Sequence, residues 1–451
     1  MEAVGVSADR AGINFSLRSD ILHSLLRAHD HIEASLLDSY EIIFIRSTHV
    51  EVESKSRVSF PERINLFCFD KWRGVSLLCP GIGCRRTERQ TALLAPLHRL
   101  DRRYPVLSRY TGGLFMKKIP TIGVLLGDPT GIGPEIAVKL LSRNELYGLA
   151  RIVIIGDQRI FQMGQQVVGT ALSFPVVRSD RDLQAQGEQP VLLDYPAIAP
   201  QDVTYKQVSA KAGKAVYETL EYAIALSLGG KIDGFTFAPL HKEALGLGGC
   251  PYHSESELFK DRFERPDVHG EINIMEDLWT TRVTSHVPLR EVGPLITRQR
   301  IYETIRFLNN EMEGFGIQKP RIAVAALNPH AGEGGRCGSE ETTIIAPAIK
   351  QAVSEGMAVE GPFPADTVFL RVQKENFRGV VSMYHDQGQI ATKLLGFEKG
   401  VTLVGGMPVP ITTPAHGTAY GRAGEGRANP EAMIRAFRIA CQLAAKKKER
   451  S

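Results

Sequence analysis

The chain has 451 residues, 54 Lys/Arg against 50 Asp/Glu for a net charge of +4, and 43% hydrophobic residues. This suits two or three structural units with sizeable cores, while the near balance of charge argues against a partner such as nucleic acid. No apolar run reaches about 18 residues, which excludes a membrane-spanning helix.

The first residues, "MEAVGVSADRAGINF", carry early acids and no apolar signal core, so the expected location is the cytoplasm. Residues 15–46 space Leu and Ile as a helix would. From Asp70 to Tyr110 the chain is basic, with nine Lys/Arg and three acids, a surplus usual for a solvated face. The six cysteines are scattered, and "CPGIGC" (Cys79 to Cys84) has no second pair to complete a zinc knuckle. A clean start follows at Met116, "MKKIPTIGVLLGDPTGIGPEIAVKLL". Residues 1–115 therefore read as an extension, with a separate small domain as the alternative, and 116–451 as the working body.

In that body the strand candidates are, in order, "TIGVLLG", "RIVIIG", "PVLLDY", "DGFTFAP", "RIAVAALNP", "GVVSMYHD" and "GVTLVGG". Between them lie amphipathic helices such as "GKAVYETLEYAIALSLGG" and "RQRIYETIRFLNNEMEGFG". Alternating strands and helices predict an α/β fold with mostly parallel sheets covered by helices, and ligands in such sheets sit beyond the carboxyl ends of strands.

The chemistry-bearing residues fall there. His286 lies in "TSHVPLREV", His330 in "LNPHAGEGG" and His385 in "YHDQG". Three imidazoles from separate elements can hold a divalent metal and leave positions open; singly, each is as readily an ordinary polar residue at a strand end. His253 and Ser254 in "CPYHSESE", Asp366 in "GPFPADTVF", Asp386 beside His385, and Lys393 eight residues on are further candidates, each also readable as a loop charge or a cap. "GDPTGIGPE" matches neither a P-loop nor a dinucleotide fingerprint, and a structural turn is its default reading.

Together "GDPTGIGPE", "APLHKEAL", "TSHVPLREV", "LNPHAGEGG", "GPFPADT", "YHDQG" with Lys393, and "HGTA" occur in the order of the 4-hydroxythreonine-4-phosphate dehydrogenase family, which the chain resembles over about 116–440. The resemblance implies a two-lobed fold like that of isocitrate and isopropylmalate dehydrogenases, with a cleft between lobes, and a homodimer with shared active sites. It implies His286, His330 and His385 as metal ligands, with zinc favoured and magnesium, manganese or cobalt as alternatives. It also implies His253, Ser254, Lys393 and Thr402 on the substrate, Asp366, Asp386 and Lys393 as catalytic, and His416, Gly417, Thr418 and Ala419 on NAD, with NADP left open.

The chain departs from the pattern at His241, where the family usually has Asn, at Ser254 for Thr, and at Thr402 and Ile411, where Asn and Arg are expected. Losing that Arg removes a bidentate anion contact. "YHSE", "EDLWTTRVTSHVPL" and "PITTPAHGTAY" look more like the branch acting on D-threonate or D-erythronate 4-phosphate in sugar-acid catabolism than like the branch in pyridoxal phosphate biosynthesis. The implied reaction is oxidation with decarboxylation of a small phosphorylated hydroxy acid. A cis-dihydrodiol dehydrogenase of an aromatic carboxylate is the alternative. A second is a non-enzymatic binding protein that uses the basic extension.

Overall fold

A computed structural model describes residues 119–450, apart from 188 and 267–269 and the side chains of 184–186 and 397, and ahead of them the backbone of short strands. The chain divides into two units, Met1–Gly113 and Leu114–Ser451. In the first, Ile32–Leu37, Tyr40–Arg46, Ile64–Asp70 and Gly74–Leu78 pair antiparallel in that order. The helix expected within 15–46 thus gives way to strand at Ile32–Leu37 and Tyr40–Arg46. "YEIIFIR" is rich in β-branched and aromatic residues, which favour a pleated backbone.

The second unit is built on twelve strands: β1 Thr121–Leu125, β2 Arg151–Gly156, β3 Val176–Val177, β4 Val191–Asp194, β5 Gly234–Phe237, β6 Glu271–Met275, β7 Leu278–Arg282, β8 Ile322–Ala325, β9 Val359–Phe363, β10 Gly379–Ser382, β11 Val401–Val404 and β12 Ile411–Pro414. They hydrogen-bond in the order β3-β4-β2-β1-β5-β12-β11-β6-β7-β10-β8-β9. The two flanks are parallel, and antiparallel pairing is confined to β12–β11–β6–β7 between them. This is the expected class: two mostly parallel α/β lobes, joined here by an antiparallel segment.

All seven strands named from the sequence form. Their near-continuous burial, such as "RIVIIG" with Ile152 to Ile155 fully inaccessible, reflects helices on both faces of the sheet. The two long helices also form where expected. Ala210–Leu228 is capped by Ser209, whose Oγ accepts from Ala212 N–H. Arg298–Phe315 is capped by Thr297 and ends at Gly316, whose left-handed φ of 103° suits glycine.

The last helix, Glu431–Arg450, packs Met433 and Phe437 into the core of the first lobe and Ala436 and Ile439 into that of the second. One rod thereby ties both lobes. Among the described residues no helix is long and apolar enough to cross a membrane.

Candidate active site

His385 opens the helix His385–Gly396 directly after β10. The motif around it is locally determined. Gln387 accepts from Met383 N–H at 2.7 Å and donates to Ala326 O at 2.7 Å, so it stitches the ends of β10 and β8 together. A Cβ on Gly388 would lie 2.8 Å from Ser382 Oγ, so glycine lets the helix close on the strand. His385 Nδ1 bonds Asp386 Oδ1 at 2.7 Å.

His286 sits just past β7 with a left-handed φ of 45°. Its ring centroid is 5.4 Å from that of His385. A ring nitrogen bound at 2.0–2.1 Å puts an imidazole centroid about 3.1 Å from its metal, so this spacing suits two ligands of one ion. Partial loss of water lowers the His286 pKa, which favours the neutral, ligating form.

The two histidines line a cavity of about 240 Å³. Lys393 and Thr402 from the predicted set line it too, as do His416 and Gly417 on the turn after β12. The structure adds a group that sequence reasoning missed: Lys242, Glu255, Glu271, Asn273, Arg282 and Gln389. Arg282 is 8% exposed. Burial alone would raise the Glu271 pKa, but Arg282 at 2.8 Å, with Ser256 and Lys242, holds it below the usual carboxylate value. Burial raises Glu255, whose Oε2 lies 3.7 Å from Lys242 Nζ. A signal was present in the sequence: "EINIM" alternates Glu271 and Asn273 with the buried Ile272 and Ile274, the period-two pattern of a strand with one polar face.

The other predicted residues lie outside the cavity lining. His330 is exposed on a turn where residues 330–334 all have φ between 45° and 79°. Glu341 holds that turn by accepting from Leu327 N–H, Asn328 N–H and Asn328 Nδ2. A run of left-handed non-glycine residues is strained, and such strain gathers at functional sites. Among the described residues no group of three or more His, Cys, Asp or Glu is placed to hold a metal. Within one chain, then, His286 and His385 meet and His330 does not join them. Asp366 is exposed in the first turn of Ala365–Lys374, whose N-cap is Pro364. Ser254 caps Glu255–Arg262 by accepting from Glu257 N–H at 3.3 Å, with His253 exposed beside it.

The "GDPTGIGPE" segment is a packing turn, in keeping with its default reading. Gly131 and Gly133 would each place a Cβ within 3 Å of other atoms, and Ile132 N–H donates to Thr418 O. Thr418 is buried by this contact, and Ala419 takes a φ of 45°. Tyr420 hydrogen-bonds Asp128 Oδ2 at 3.0 Å and contacts Thr130 Oγ1 at 3.1 Å. Burial pushes its hydroxyl pKa up to about 12. His241, the departure from Asn, stacks on Tyr420 at 5.1 Å and caps Lys242–Leu247 through Nδ1. A second groove, of about 410 Å³ beside Tyr195, pairs its charges internally as Lys211–Asp202 and Lys214–Glu218.

Fold and cavity define a two-lobed α/β protein with an imidazole pair in a polar pocket. The chain belongs to the family described as pyridoxal phosphate biosynthetic protein PdxA, matched over residues 148–440, and is an oxidoreductase of that family. It is 38% identical over 326 residues to the D-threonate 4-phosphate dehydrogenase of Salmonella typhimurium (strain LT2), covering 72% of this chain and 99% of that one. The enzyme of the same name from Cupriavidus necator is 36% identical over 330 residues, covering 73% and 98%. Among solved structures, a 4-hydroxythreonine-4-phosphate dehydrogenase from Klebsiella pneumoniae superposes with a TM-score of 0.62 at 34% identity, covering 72% and 98%.

Proposed function

We propose that this chain carries out metal-dependent, NAD-linked oxidation and decarboxylation of a 4-phosphorylated 3-hydroxy acid, with D-threonate or D-erythronate 4-phosphate preferred to 4-hydroxythreonine 4-phosphate. The observation that carries this reading is the His286–His385 pair in a cavity shared with Lys393. The names of the Salmonella and Cupriavidus relatives support the substrate class.

On this reading His286 and His385 supply two ligands, and His330, exposed on its strained turn, serves the cavity of a second copy in a homodimer. Bound there, zinc or another divalent ion supplies Lewis acidity that eases loss of the substrate's hydroxyl proton, and NAD supplies the hydride acceptor. Asp386, through its 2.7 Å bond to His385 Nδ1, leaves Nε2 as the ligating nitrogen and fixes the ring. Asp386 is the first carboxylate to test as proton acceptor and Asp366 the second. Lys393 holds the phosphate as a point charge, helped by His253, Ser254 and Thr402. His416 to Ala419 hold the dinucleotide, with Thr418 anchored to the "GDPTGIGPE" turn.

The test is an NADH-formation assay comparing the three phosphorylated acids with both nicotinamide cofactors, run alongside His385→Ala. The wild type should turn over a phosphorylated acid. The variant should stay folded and fall below about one thousandth of wild-type activity. Full turnover by metal-stripped wild type would defeat the proposal. Turnover only of an aromatic cis-dihydrodiol would favour the dihydrodiol alternative, the activity named for a structural neighbour from Burkholderia xenovorans, a terephthalate 1,2-cis-dihydrodiol dehydrogenase 25% identical with a TM-score of 0.51.

A further inference from the structure

The site lacks the arginine its family pattern leads one to expect, because position 411 is a fully buried isoleucine in β12. Another guanidinium lines the same cavity from a different strand. Arg282 ends β7 and is held on three sides: Nε donates to Ser285 Oγ at 2.9 Å, Nη1 to Asn273 Oδ1 at 2.9 Å, and Nη2 to Glu271 Oε2 at 2.8 Å. These bonds use three of its five N–H groups. Among the described residues the other two, one on each Nη, have no partner.

Asn273 ties this fork to the neighbouring strand and helix. Its Oδ1 also accepts from Gln389 Nε2 at 2.6 Å, and its Nδ2 donates to Thr402 Oγ1 at 3.1 Å. Asn273 and Thr402 are direct cross-strand partners, so a carboxamide stands one strand away from the position where the pattern calls for one. A buried arginine locked by a carboxylate and an amide is pre-organised, and two uncommitted N–H groups, one on each Nη, suit a planar carboxylate. Three cations, Lys242, Arg282 and Lys393, line the cavity against two carboxylates, Glu255 and Glu271.

We infer that Arg282, aligned by Asn273 and Glu271, is the specificity-determining group that recognises the substrate's carboxylate, in place of an arginine at 411. The inference rests on the hydroxy-acid reading above. It assigns the carboxylate to Arg282 and the phosphate to Lys393. The carboxylate of a 3-hydroxy acid lies two carbons from the oxidised centre, and Arg282 lies four residues before His286 and lines the same cavity.

The experiment compares D-threonate 4-phosphate with its primary carboxamide, by steady-state kinetics and by calorimetric binding without turnover. Three proteins are used: wild type, Arg282→Lys and the paired variant Glu271→Gln/Arg282→Met, which removes both buried charges together. The wild type should prefer the acid at least ten-fold in kcat/KM and in Kd. Both variants should lose that preference, read as a raised KM and a raised Kd for the acid. A wild type indifferent between acid and amide overturns the inference, as does an active pair of variants that keeps the wild-type preference. A wild type inactive on every phosphorylated hydroxy acid removes the reading of the site and this assignment with it.

Discussion

Glu311, on the helix Arg298–Phe315, keeps its carboxylate largely out of water, and Oε1 accepts from Gly406 N–H at 2.8 Å. Burial raises its pKa, with the Gly406 bond and the charges of Lys447 and Arg265 pulling the other way. A folded pKa above the unfolded one means that the group's stabilising contribution is complete below the unfolded value. It is lost as pH rises through the folded one. Glu311→Gln keeps an acceptor for Gly406 and removes the charge. Its Tm should exceed that of wild type at pH 7 to 8, and the gap should close by about pH 4, where Glu311 is protonated in both states. A gap that stays constant with pH would show that the carboxylate is not what the site disfavours. At this scale the sequence was readable where chemistry marks the residue. A histidine after an apolar strand stands out, so His286 and His385 were found. Glu271, Asn273 and Arg282 look like ordinary surface polars until the strands that carry them are paired.

That pairing depends on the hairpin β6–β7, which the sequence hid. Met275 faces Leu278 across a two-residue turn of Glu276 and Asp277. Such turns usually announce themselves with Asn-Gly or Asp-Gly, because they need positive φ. Here Glu276 takes a φ of 51° with no glycine to advertise it. A left-handed residue with a Cβ costs about 1–2 kcal/mol, and glycine's greater freedom when unfolded returns about 0.5–1 kcal/mol of that. Glu276→Gly should therefore leave stability equal or raise it by up to about 1 kcal/mol, while Glu276→Val should lower it by more than about 1 kcal/mol. The ion pair to Lys399 at 3.4 Å is exposed and adds little. Denaturant titration of the two variants reads the contrast, and equal effects would mean that the turn relaxes to another geometry. The parallel strands were legible for the opposite reason. Covered on both faces, β1, β2 and β10 read as unbroken apolar runs, whereas β3 has two residues and β9 carries Pro362.

For the whole molecule, the question is what the first 115 residues contribute. Every side chain of the cavity, both lobes and the C-terminal rod belong to the unit that starts at Leu114. That unit holds its own buried clusters, with Phe437, Trp279, Phe235 and Val380 fully or almost fully inaccessible, one in each. The Salmonella relative is itself matched over 99% of its length by only 72% of this chain. A body with closed cores and its cavity-lining groups inside one segment needs no help from a preceding segment to fold. Deleting residues 1–115 should therefore leave Tm within about 2 °C of the full chain, and kcat and KM within about two-fold. The rival view, in which the nine Lys/Arg between Asp70 and Tyr110 form a nucleic-acid-binding module, predicts something different. It requires a DNA mobility shift that weakens steeply with salt and vanishes on the same deletion. The two measurements are independent. A truncated protein that keeps its activity but loses such a shift would assign the extension a binding role beside the enzyme, and one that unfolds would show that the body's cores are not sufficient.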